Sequence, residues 1–87
     1  MLEIQKFIKQ RPYLVWYVKD PSRLNDEAIV EHVLNYGNWE DVRKMIDILG
    51  VKKTAKIFFK QVKQKRCNYH KKTKNYFTLY FNKHAYA

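Results

Sequence analysis

Gly37 and Gly50 are the only glycines in the chain, and each closes a stretch whose apolar residues recur every three or four positions. Two prolines, Pro12 and Pro21, complete a small stock of turn-forming residues. A hairpin-rich fold needs glycine at many tight turns, and this chain cannot supply it. Helices separated by a few stops are what remain. The reading is an all-α fold, a compact bundle of about five short helices forming a single domain over 1–87.

The two clearest helices meet at Gly37-Asn38. Asn25 stands where an N-cap belongs, with Asp26 and Glu27 in the first turn, where the helix dipole favours acids. Ile29, Val30, Val33, Leu34 and Tyr36 then share one face, and Gly37 is expected as a left-handed stop. Asn38 caps a third helix that has Glu40 and Asp41 in its first turn. Its expected buried face is Trp39, Val42, Met45, Ile46 and Leu49, and Gly50 ends it. Upstream, Leu2 to Lys9 reads as a first helix, and Pro12 opens a short one over Tyr13 to Val18. That apolar segment also reads as a buried strand, but no second strand is present to pair with it.

Downstream the pattern turns basic. A fourth helix, Lys52 to Lys65, gathers Val51, Ala55, Phe58, Phe59 and Val62 on one arc at 100° per residue. Lys52, Lys53, Lys56, Lys60 and Lys63 fall on the adjoining arc, Arg66 lies at the far edge of the apolar face, and Ile57 falls outside both and is expected exposed. Cys67 to His70 reads as a loop. A last helix, Lys72 to Lys83, is expected to bury Tyr76, Phe77, Tyr80, Phe81 and His84.

The net charge of +10 is unevenly placed. Residues 1–50 hold all eight acids and seven Lys and Arg, whereas residues 51–87 hold eleven Lys and Arg and no acid. A solvated lysine face explains scattered cations. Thirty-seven residues without a carboxylate leave self-repulsion uncompensated and favour a polyanionic partner. Nucleic acid comes first, DNA ahead of RNA, and an acidic protein second. The candidate contacts are Lys52, Lys53, Lys56, Lys60, Lys63, Arg66, Lys71, Lys72 and Lys74. Tyr69, between two basic clusters, is the better stacking candidate, although a loop tyrosine more commonly packs on its own domain. The aromatics of the last helix lie at core spacing instead.

Catalysis finds no constellation. Cys67 and His70 are three apart but lack an orienting third group, and with His32 and His84 they do not have zinc spacing. Glycine-rich phosphate loops and paired carboxylates in the basic half are missing; Asp41, Asp47, Glu27 and Glu31 read as caps and solvated faces. The expectation is a non-enzymatic protein with no cofactor and no metal. One cysteine, no signal-peptide run and no spanning stretch place it in the cytoplasm, off the membrane. The pair of helices over 38–65, joined at Gly50, also has the outline of a helix-turn-helix. Its first contacts would then be Lys52, Lys53, Thr54 and Lys56, which suit phosphate better than base edges.

The stretches Ile29-Val30-Glu31-His32-Val33-Leu34-Asn35-Tyr36-Gly37 and Asn75-Tyr76-Phe77-Thr78-Leu79-Tyr80-Phe81 carry a resemblance. With the aromatic-rich start Tyr13 to Tyr17, they resemble a family of short bacterial proteins encoded beside nucleotidyltransferase toxins of the abortive-infection E type. The resemblance covers about four-fifths of the chain. It implies an antitoxin-like companion role with a possible toxin partner, and it brings no catalytic residues.

Overall fold

The computed structural model describes residues 3–15, 18–20, 24–64 and 67–85. These form five α-helices: α1 (Glu3–Lys9), α2 (Asp26–Tyr36), α3 (Trp39–Leu49), α4 (Val51–Val62) and α5 (Lys71–His84). One 3-10 turn, Pro12–Leu14, lies between α1 and α2. Helix α2 packs on α3, α4 and the 3-10 turn; α1 packs on α3; α4 packs on both α3 and α5. No strand occurs among the described residues, so the all-α expectation holds.

The caps act as read. Asn25 Oδ1 accepts from the Ala28 N–H at 2.8 Å. Asn38 and Asp41 form a reciprocal capping box, each side chain accepting from the other's backbone N–H. Gly50 has φ 90°, in the left-handed region where a Cβ is unfavourable. Gly37 differs from expectation, since its φ of −78° suits any residue. Close approach explains this glycine instead: a Cβ would lie 2.7 Å from the Val33 carbonyl oxygen and 3.1 Å from Asp41 Cβ.

The core joins Ile4, Phe7 and Ile8 of α1 to Ile29, Val30, Val33 and Leu34 of α2, Val42 and Met45 of α3, and Ala55 and Phe58 of α4. Phe77 and Phe81 close it from α5. Phe58 is its aromatic hub, with ring centroids 5.1 Å from Tyr69 and 5.4 Å from Phe81.

Several expected positions are corrected. Of the helix expected over Tyr13 to Val18, the described residues show only the 3-10 turn, which ends at Val15, whose φ of −135° and ψ of 36° are not helical. Leu14 and Val15 are buried, and Trp16 and Tyr17 lie outside the described residues. Tyr36, at the last position of α2, is exposed, and His32 completes the inner face in its place. Ile57 is half-buried against the core rather than exposed. Trp39, Tyr76 and His84 are exposed and Tyr80 is only half-buried. The cause in α5 is that it packs chiefly on α4, so it buries a narrow row, Phe77 and Phe81, four residues apart.

Asp41 is likewise no solvated cap. It is buried and accepts from Arg11 Nε at 2.9 Å and from the Tyr13 hydroxyl at 2.7 and 2.8 Å. Burial pushes its carboxyl up, but these bonds and the Asn38 N–H outweigh burial and hold it below its ordinary value. His32, also buried, is pushed down by loss of solvent, with Glu31 opposing.

Candidate nucleic-acid interface

The buried row of α4 dictates what faces water. With Ala55 and Phe58 inside, Lys52, Lys53, Lys56, Lys60 and Lys63 all stand exposed on the outer surface. They do not act alike. Lys53 Nζ lies 2.8 Å from Asp26 Oδ2, and Lys60 Nζ lies 3.5 Å from Glu27 Oε1. The acids that favour the start of α2 therefore also face the lysine stripe, because α2 and α4 pack together. Sequence reasoning missed this pairing across 27 to 33 positions, for which helical periodicity carries no signal. Among the described residues, Lys52, Lys56 and Lys63 make no ion pair.

A second cluster opens α5. Lys71, Lys72 and Lys74 are exposed in its first turn, and His70 supplies no side-chain cap. Cations there oppose the helix dipole, so positive charge accumulates without internal compensation. Arg66 lies outside the described residues.

The helix-turn-helix outline loses one contact. Thr54 is fully buried, and its hydroxyl donates to the Gly50 carbonyl oxygen at 2.8 Å. With Thr54 turned inward and Lys53 paired, the start of α4 offers Lys52 and Lys56, which are point charges for phosphate rather than forks for base edges.

Tyr69, the stacking candidate, is 8% exposed, the packed alternative for a loop tyrosine. Its hydroxyl donates to Gln61 Oε1, and Gln61 Nε2 donates to the Glu27 carbonyl oxygen at 2.8 Å. Burial raises the Tyr69 hydroxyl far above its ordinary value. Asn35 fixes the same loop from both sides. It donates to the Asn68 carbonyl oxygen at 3.1 Å and accepts from the His70 N–H at 3.2 Å. Tyr69 is therefore a core residue that docks the loop onto α2 and α4.

The exposed aromatics lie elsewhere. Trp39 stands edge-on to Tyr80, with centroids 5.3 Å apart, and to Tyr76 at 6.4 Å. The Tyr76 and Tyr80 rings are within 17° of parallel. A hollow of about 230 Å³ beside them is lined by Tyr76, Leu79, Tyr80, Lys83 and His84.

A larger hollow of about 660 Å³ runs between α1, the Asn25 cap and α4, but Asp26 and Glu27 line it beside Lys53 and Lys56. Cys67 is a half-buried free thiol in the loop before α5. No cluster of three metal-ligating side chains occurs among the described residues, and none of their helices is long and apolar enough to cross a membrane. No family model matches the chain, and no curated protein or solved structure is significantly similar to it.

Proposed function

We propose that this chain is a non-enzymatic, antitoxin-like or regulatory protein that binds nucleic acid, DNA ahead of RNA, through its basic C-terminal half. The observation that supports this most is the set of exposed lysines on α4 and α5 that make no ion pair among the described residues: Lys52, Lys56 and Lys63, then Lys71, Lys72 and Lys74. No carboxylate side chain follows Asp47 in the sequence, and the acids seen paired with α4 lysines are Asp26 and Glu27 of α2. Lysines without a guanidinium or amide fork contact phosphates and set affinity rather than sequence choice. The absence of any grouped acid, base and nucleophile in the basic half argues for binding without chemistry.

A second reading keeps the lysines and changes the partner to an acidic protein, such as the nucleotidyltransferase toxin implied by the family resemblance. Leu79, 73% exposed, favours it, because an aliphatic side chain left in water suits a protein interface. The test is a double swap, Lys56→Glu with Lys63→Glu, compared with Lys6→Glu and Lys19→Glu, which are exposed in the balanced half. The nucleic-acid reading expects the first pair to weaken binding to duplex and single strands strongly and the second pair to leave it nearly intact. Circular dichroism confirms that both fold. Equal, small effects of the two pairs contradict the reading.

A further inference from the structure

We infer that the aromatic face formed by the exposed Trp39 and Tyr76 with the half-buried Tyr80 receives unpaired nucleobases, so that the bound nucleic acid is single-stranded where it crosses α5. This rests on the nucleic-acid reading above and adds the class of strand and a second contact surface. Three observations carry it together.

The first is exposure where a core was expected. Tyr76 is 53% and Trp39 45% exposed, although both lie at spacings that normally serve a core. Helix α5 already buries Phe77 and Phe81, so the fold leaves Tyr76 to solvent. The second is geometry. Tyr76 and Tyr80 present nearly parallel rings, and Trp39 stands within 8° of perpendicular to each, which makes a corner of ring faces. The hollow of about 230 Å³ beside Tyr76 and Tyr80, lined also by Leu79, Lys83 and His84, is smaller than the roughly 300 Å³ typical of a drug-sized ligand's pocket. It suits one flat ring system.

The third is charge. At 100° per residue, Lys72 and Lys83 fall on the same arc of α5 as Tyr76, Leu79 and Tyr80. Lys83 lines the hollow itself. They flank the rings along about 17 Å of helix, and α5 contains no acid. Rings between lysines are the arrangement that single-strand binders use, bases stacking while cations follow the backbone. An acidic protein would satisfy the lysines but has no need of three ring faces. A second copy of this chain would set Lys72 and Lys83 against like charges.

The experiment measures affinity of the full chain at low salt for three labelled probes of equal phosphate number: oligo(dT), the same oligomer with abasic sites, and a duplex. The expected result is about five- to a hundredfold preference for oligo(dT) over the abasic strand for each base stacked. Trp39→Leu and Tyr76→Leu should each remove most of that preference. Trp39→Phe and Tyr76→Phe should keep it, and binding to the duplex should stay unchanged. Equal affinity for intact and abasic strands overturns the aromatic face while leaving lysine-driven binding in place. No binding to any probe overturns the nucleic-acid reading itself. Sedimentation as a dimer that Leu79→Lys dissociates, without base preference, assigns the face to a second copy and also overturns the inference.

Discussion

Lys53 of α4 places its ammonium 2.8 Å from the carboxylate of Asp26 in the first turn of α2, joining the basic half of the chain to the acidic one. The pair is partly solvated, with Lys53 55% and Asp26 34% exposed, so its share of stability is small, about 0–1 kcal/mol. Its consequence for binding is larger. Phosphate approaching Lys53 must displace Asp26, and Glu27 stands similarly beside Lys60.

Changing Asp26→Asn and Glu27→Gln together should therefore strengthen nucleic-acid binding. Each lysine released adds about 0.9 to the magnitude of the log–log salt slope on duplex DNA. Removing two acids from a helix start costs about 0.3–1 kcal/mol each, so the variant should melt slightly lower while binding more tightly. Parallel melting and titration check both directions. Weaker binding would show that these acids support the interface.

Acid should destabilise the fold in two stages. His32 has a lowered folded-state pKa, so its contribution is complete above the unfolded value of 6.5 and is lost as pH falls from there through the lower folded value. Asp41 is also lowered, so its contribution is complete above 3.8 and is lost as pH falls further, when protonation breaks its bonds with Arg11 and Tyr13. Urea unfolding at pH 8, 5 and 3 should show both losses. Asp41→Asn should flatten the second while lowering stability at neutral pH by roughly 3 kcal/mol, since Arg11 loses its partner.

The two glycines resist substitution for different reasons. At Gly50 the constraint is the backbone itself, φ 90° with ψ 143°, a conformation kept essentially for glycine, so Gly50→Ala and Gly50→Asn should each cost about 1–3 kcal/mol. At Gly37 the constraint is space against the Val33 carbonyl, so asparagine should bring no relief over alanine. Thermal melts of the four variants test this; rescue by Gly37→Asn would contradict the steric account.

Local features were legible and lateral ones were not. Asn25, Asn38 and Gly50 announce helix ends within a few residues of themselves, and the Lys52–Lys63 stripe follows from the periodicity that buries Ala55 and Phe58. Periodicity gives the direction of a side chain but not whether a neighbour covers it. Tyr76 and Phe77 are adjacent and equally aromatic, yet only Phe77 meets α4's core row. Tyr69 shows the converse, since a loop tyrosine between polar residues gives no sign that Gln61 and Phe58 await it. The pairing of Asp26 and Glu27 with α4 had no signal because it depends on how α2 lies across that helix.

The central claim, that the uncompensated lysines of α4 and α5 bind a nucleic-acid backbone, is tested most directly by salt. The wild-type chain should be titrated at several salt concentrations against duplex DNA, single-stranded DNA and RNA. With about four phosphate contacts, the log–log slope should be roughly −3 to −4 on duplex and about −3 on single strands. Lys56→Glu with Lys63→Glu should flatten it. A chain that binds none of the three at low salt contradicts the account and leaves an acidic protein as the partner of its basic half.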